Sequence, residues 1–150
     1  MINLHRKTYP VYWIWSDAVE NHALLHGELT AVLGWRMGVT GHPNLRSLRN
    51  FPLQANGAEM LRLACIAATE QGIRVAAPVH DALLVEAPLD EIEDAVAATQ
   101  EVMRQASECV LGGFGLRSDV EIFRYPQRYM SSQGESMWST LTELLGENYE

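Results

Sequence analysis

The chain has 150 residues, 47% of them hydrophobic and 20% charged, and its formal net charge is -8. This length and apolar content suffice for one ordinary domain with a real core, and they argue against a disordered chain. The negative charge excludes a generally cationic nucleic-acid binder, so any contact with nucleic acid must be local. We predict a single domain over residues 1–150.

The sequence lacks the usual signals of export and membrane insertion. MINLHRKTYP contains no apolar run of signal-peptide length, and no run of about 18 uncharged apolar residues occurs elsewhere. Cys65 and Cys109 fall within apolar helical patterns, which predicts small buried side chains and no disulfide. We therefore expect a cytoplasmic protein with no membrane partner.

The first half of the chain predicts a helix, an irregular hairpin and a second helix. Apolar residues at steps of three and four from Pro10 to about Gly27 indicate the first helix. Two short apolar runs on either side of Gly34 indicate the hairpin. Helical spacing returns over residues 46–72, which predicts the second helix.

Several residues bear on the continuity of this second helix and on the polar residues that share one of its faces. Pro52 should kink or restart it, and Gly57 should mark close packing or a close backbone approach. Arg46, Asn50 and Gln54 stand at steps of four and share one face if the backbone stays helical through Pro52. From spacing alone, the same three residues fit a solvated helix face with Asn50 as N-cap equally well.

The second half predicts another hairpin, a third helix and a final strand. The runs IRVAAPV and ALLVEAP flank His80 and Asp81, which predicts a buried hairpin with this polar pair at its turn. A clean apolar stripe after Pro88 predicts the helix, and alternation over residues 116–123 predicts the strand. This order of elements predicts an α+β fold in which helices cover one face of an antiparallel sheet.

His80 and Asp81 are the main candidates for chemistry. A carboxylate on the stiff tip of a hairpin is a good ligand for a hard cation such as Mg²⁺, although one Asp is only part of a metal site. A purely structural turn explains the same pair. The HD dyad of helical phosphohydrolases fits poorly, because this pair lies between β-rich runs.

Three blocks of the sequence resemble family A DNA polymerases of the bacterial DNA polymerase I type. APVHDALLVEAP resembles their motif C. RSLRNFPLQANGAEML resembles the preceding stretch, in which an Arg, an Asn and a Gln recur at steps of four, and Gly34-Trp35-Arg36 resembles the upstream G-R-R hairpin. The resemblance covers about residues 9–129 and implies the C-terminal part of a polymerase palm, incomplete and built around the motif C hairpin.

The resemblance implies roles for five residues. Asp81 would help to hold catalytic Mg²⁺, and His80 would contact the primer terminus. Arg46, Asn50 and Gln54 would position primer–template DNA. The implied reaction is template-directed transfer from a deoxynucleoside triphosphate in DNA replication, with two Mg²⁺ ions at the reacting centre.

Two departures from the family bear on activity. Ala82 stands where the family commonly has Glu, and residues 1–45 contain no counterpart of motif A, with its metal-binding Asp, or of motif B, the fingers helix. We therefore expect an isolated chain to be inactive as a nucleotidyltransferase and to need the missing polymerase regions in cis or in trans. Alternatives are a non-catalytic DNA-binding module and a structural remnant without a ligand. Apolar surface left exposed by the missing regions would also permit self-association.

Overall fold

The structure is a computed structural model that describes residues 2–127, 129 and 132–146. Its elements in chain order are α1 (Ile2–Thr8), α2 (Pro10–His26), β1 (Glu28–Thr30), β2 (Arg36–Gly38), α3 (Leu45–Glu70), β3 (Arg74–Val79), β4 (Ala82–Glu86), α4 (Ile92–Val110) and α5 (Ser132–Leu145). The predicted α+β class is confirmed. Among the described residues, no helix is long and apolar enough to cross a membrane.

The chain divides into two compact units, Met1–Ser118 and Asp119–Glu150. The first unit contains α1 to α4 and both pairs of strands, and the second contains α5. In the second unit the rings of Phe123 and Tyr129 meet edge to face, with their centres 5.2 Å apart. Our expectation of a single domain over residues 1–150 stays a prediction.

The strands form two separate antiparallel hairpins, β1 with β2 and β3 with β4. The further strand expected over residues 116–123 is wrong, because no strand is formed there. Side chains of α4 hold the start of this segment instead. Ser107 Oγ accepts the backbone N–H of Leu116 at 2.8 Å, and the Gln100 amide donates to the Ser118 carbonyl at 2.8 Å. Alternating apolar residues form a strand only where a neighbour supplies the other half of the ladder.

The ends of α2 follow the predicted rules. Pro10 stands at its start, where a missing backbone N–H costs nothing. Gly27 ends the helix with a left-handed φ of 72°, and its N–H donates to the Ala23 carbonyl. α1, which the apolar pattern does not indicate, precedes this helix.

α3 is a single helix, and this continuity decides where its polar residues point. Its N-cap is Asn44, whose Oδ1 accepts the backbone N–H of Arg46 at 3.0 Å, so the interpretation of Asn50 as N-cap is wrong. The expected restart at Pro52 is also wrong, since the helix continues through it.

Packing explains why Pro52 is tolerated. The proline removes one backbone hydrogen bond from the helix. Leu48 and Ala55, which flank it in sequence, are both buried against the rest of the first unit. This burial keeps the helical path favourable despite the missing bond.

Two small cores lie along α3. The first contains Ala23 of α2, Leu29 of β1 and Leu48 of α3. The second contains Ala64 and Ala68 of α3 with side chains from α4 and the β3–β4 hairpin. The N-terminal half of α3 therefore packs on the first hairpin and α2, and the C-terminal half packs on α4 and the second hairpin.

The β3–β4 hairpin is half-buried, so the predicted burial is correct for one face only. Val75, Leu83 and Val85 face the protein and are partly covered. Val79 and Leu84 are 56% and 52% exposed. One face of the hairpin thus supports the core, and the other face is open.

The two cysteines are free thiols, as expected, but their predicted burial is only partly correct. Cys65 is half-buried, and Cys109 is exposed. The burial prediction is therefore wrong for Cys109, which lies in the last turn of α4 where the apolar stripe widens beyond the packed face.

Arg49 joins α3 to α2 through a cluster of polar contacts. Its guanidinium lies 2.6 Å from the Asp17 carboxylate and 2.5 Å from the Glu20 carboxylate, and it donates to Ser16 Oγ at 3.0 Å. The guanidinium carbon also lies 5.9 Å from the centre of a ring of Trp13. The hydrogen bond to Asp17 is the main cause of a raised pKa for Arg49, so the guanidinium stays charged.

Removing this guanidinium should destabilise the first unit. We expect Arg49→Met to lower the free energy of unfolding by about 1–3 kcal/mol, because Glu20 keeps a half-buried charge without its partner. Urea denaturation measures this change. Arg36→Met is the matched control, since the Arg36–Glu28 pair is exposed and 3.8 Å long, and its loss should cost less than about 0.5 kcal/mol. Equal losses in the two variants would contradict a special role for Arg49.

Candidate nucleic-acid interface and metal ligand

Arg46, Asn50 and Gln54 form an exposed row along the N-terminal half of α3, which we call the polar row. Because α3 continues through Pro52, successive members are about 40° apart around the helix axis and about 6 Å apart along it. Within the described part of the chain, none of the three side chains has a hydrogen-bond or ion-pair partner. The row therefore offers its donors and acceptors to solvent or to a ligand.

The electrostatics of α3 differ from those of the whole chain. The helix contains three arginines and two glutamates, although the chain has a net charge of -8. Glu59 is buried and pairs with Arg62 at 2.6 Å, and Glu70 is the last residue of the helix. On an ideal helix both glutamates lie at least about 120° from every member of the polar row. No acid of α3 stands beside Arg46, so this face can accept a polyanion.

His80 and Asp81 form the two-residue turn between β3 and β4, since Val79 pairs with Ala82. Both turn residues are exposed. His80 has a φ of 56°, and it is the single non-glycine residue with positive φ in the part of the chain that the structure describes. Short hairpins need such a conformation, but a side chain raises its free energy by about 1–2 kcal/mol relative to glycine. The turn alone therefore does not explain why histidine stands there.

The β3–β4 hairpin and α4 together pack on the side of α3 that continues the polar row. Ala64 and Ala68 pack in the same cluster as Val75 and Leu83 of the hairpin. On an ideal helix these alanines are rotated by about 0° and 40° from Arg46, which is the sector that the polar row occupies. The exposed row in the first half of α3 thus leads toward the hairpin that carries the turn.

The acidic side chains near the turn supply one candidate metal ligand. The Asp81 carboxylate is exposed and has no ion-pair partner among the described residues. Glu86 stands at the other end of β4 and pairs with Arg74 at 2.5 Å, while Ala82 offers no ligand. No group of three or more His, Cys, Asp or Glu side chains gathers anywhere in the described ranges. An exposed carboxylate such as Asp81 can serve a hard cation as one ligand, and the described residues gather no set of ligands around it.

Arg49 was not among the predicted site residues, although it stands between Arg46 and Asn50 in the chain. Its side chain turns toward α2 and is 24% exposed, whereas its neighbours in the polar row point outward. A signal for this existed. Asp17 and Glu20 stand three residues apart on α2, next to Ser16, so their carboxylates lie on one face of the helix. Two carboxylates on one face indicate a basic partner nearby.

Substitutions at the turn test whether the His80 side chain stabilises it. His80→Gly should raise the free energy of unfolding by up to about 1 kcal/mol, because glycine adopts positive φ without steric cost. His80→Ala keeps that cost and should give no such gain. Urea denaturation of the two variants measures the difference. A loss of stability in His80→Gly would show that the imidazole itself holds the turn, which is the purely structural interpretation.

Comparisons with known proteins support the resemblance found in the sequence. No protein-family model matches the chain. DNA polymerase I of Deinococcus radiodurans is 30% identical over 115 residues, which cover 68% of this chain and 12% of that polymerase. The thermostable DNA polymerase I of Thermus thermophilus is 28% identical over 115 residues, covering 68% of this chain and 14% of that enzyme. The chain thus matches only a small part of each relative's length, and its predicted relationship to a segment of bacterial DNA polymerase I is confirmed.

Proposed function

We propose that this chain, a relative of a segment of bacterial DNA polymerase I, is the C-terminal palm segment of a family A DNA polymerase. The observation that carries the proposal is the polar row of α3, which leads toward the hairpin with Asp81 at its turn. In this function the row contacts primer–template DNA. The hairpin presents Asp81 where the primer is extended.

The side chains of the polar row suit contacts with a DNA duplex that do not depend on its base sequence. The Arg46 guanidinium can donate two parallel hydrogen bonds to phosphate or base acceptors. The amides of Asn50 and Gln54 can each donate and accept. Because the minor groove presents acceptors at every base pair, such donors can check the shape of a pair without identifying it.

At the turn, this chain supplies a carboxylate and an imidazole. Asp81 would be one Mg²⁺ ligand, and a second carboxylate would come from polymerase regions outside these 150 residues, in cis or in trans. When bound there, Mg²⁺ stabilises charge on the attacking and leaving oxygens of phosphoryl transfer. His80 would lie against the primer terminus, where a ring N–H can donate to a sugar or phosphate oxygen. The short turn limits the movement of both side chains.

A non-catalytic DNA-binding module is the second candidate. The observation that favours it is the contrast between the two halves of the site. The polar row contains all three residues that the resemblance implies, and they are exposed. The described residues near the turn offer one carboxylate without an ion-pair partner. Binding and catalysis must therefore be tested separately.

Duplex binding tests the polar row. We expect Arg46→Ala and Gln54→Ala each to weaken binding to a fluorescent primer–template duplex by about fivefold or more, measured by anisotropy. Arg104→Ala is the matched control for Arg46→Ala, because both remove one positive charge, but Arg104 is on α4 and its guanidinium already contacts Glu101 and Glu108. It should change the affinity by less than about twofold. Equal losses in all three variants, or no binding by the unaltered chain, would overturn the proposed interface.

Primer extension tests the expected need for outside regions. With Mg²⁺ and all four deoxynucleoside triphosphates, the isolated chain should give no detectable extension, because one carboxylate does not hold two ions. Extension by the unaltered chain that disappears in Asp81→Asn would contradict this.

Paramagnetic Mn²⁺ adds a test of Asp81 itself. It should broaden the NMR signals of the turn in the unaltered chain and not in Asp81→Asn, and equal broadening would favour the non-catalytic module.

A further inference from the structure

Gly57 stands in the interior of α3, twelve residues after Leu45 and thirteen before Glu70. Glycine in the middle of a helix is less stable than alanine, because its backbone loses more freedom on folding. A glycine at such a position therefore needs a reason outside the local helical structure.

The described fold contains no such reason. A Cβ built on Gly57 would meet no heavy atom within 4 Å beyond its own helix and chain neighbours, and the residue is exposed without a left-handed φ. Gly72 differs, since its φ is 79°. Gly115 differs too, because a Cβ there would lie 3.0 Å from the Glu108 carboxylate. The close packing within the chain that the sequence suggested for Gly57 is wrong.

The position of Gly57 relates it to the polar row. Eleven residues separate it from Arg46, so on an ideal helix it is rotated by about 20° from that residue, inside the sector of the row. It lies about 4.5 Å along the axis beyond Gln54. Ala64, which packs in the cluster with the β3–β4 hairpin, follows in the same sector. Gly57 therefore lies between the exposed row and the hairpin that carries Asp81.

We infer that Gly57 is a further DNA-contact position, at which the missing side chain lets the backbone of a primer–template duplex approach α3 closely. This inference rests on the proposed function. The long side chains of Arg46, Asn50 and Gln54 reach outward to the duplex from one end of the row. At Gly57 the duplex comes down to the helix itself, which brings its end toward the turn. An alanine methyl group would hold the duplex away and weaken the contacts on both sides.

The test depends on two quantities that should move in opposite directions. Gly57→Ala should raise the thermal midpoint of unfolding by a few degrees, about 2–5 °C, because alanine is the better helix former and meets no neighbour. The same change should weaken binding to the primer–template duplex by about fivefold or more in anisotropy titrations. Thr69→Ala is the control, since it also favours α3 but lies well outside the sector of the polar row. It should leave the affinity unchanged.

Each outcome decides a different point. A higher midpoint with unchanged affinity would overturn this inference and leave the proposed function intact, because the glycine would then serve some other contact. A lower midpoint would also overturn it, since the fold itself would need the glycine. If the unaltered chain does not bind the duplex, the proposed function and this inference fail together.

Discussion

The ion pairs of Arg49 with Asp17 and Glu20 determine which side of α3 faces solvent. A long helix can rotate about its axis with little change in its own hydrogen bonds, so contacts with neighbours must fix that rotation. Arg49 fixes the rotation of the N-terminal half of α3, because its guanidinium contacts three polar side chains of α2. The small core around Leu48 adds burial on the same side. With this side held, the polar row has to point outward.

The ion pairs of other acidic residues bear on the proposed DNA ligand, because the chain as a whole is acidic. Glu59 pairs with Arg62 and Glu101 pairs with Arg104, so the positive partner offsets the repulsion that each of these two carboxylates would exert on DNA. The hydrogen bonds from Arg104 lower the pKa of Glu101 to about 2, so this carboxylate stays charged and bound to its partner at neutral pH. Local placement of charge therefore matters more than the net value of -8.

The sequence predicted the elements well where local signals are strong. Pro10 and Gly27 fixed α2, and the two β-rich runs around His80 and Asp81 fixed the second hairpin. The polar row followed from spacing alone once the helix proved continuous. The relationship to DNA polymerase I came from short blocks whose order is retained.

The failures have a common physical cause, which is that distant contacts override local patterns. Residues 116–123 alternate like a strand, but no described strand pairs with them, and Leu116 and Ser118 bond to side chains of α4 instead. Pro52 carries a strong breaking signal, but burial of Leu48 and Ala55 outweighs it. The contacts of Arg49 were not predicted, because Asp17 and Glu20, which bind it, lie on another helix. None of these partners can be identified from the segment itself.

The two-stranded form of the second hairpin has a consequence for the precision of the site. β3 and β4 each pair with one strand in the described residues, so each keeps an edge of unpaired backbone groups. A ribbon of two strands twists more than a wider sheet, and its twist responds to whatever pairs at those edges. The direction in which Asp81 points therefore depends on the twist of the ribbon as well as on the short turn. A strand that paired with either edge would flatten the ribbon. It would thereby change the direction of the Asp81 carboxylate, whether or not that strand carried a metal ligand.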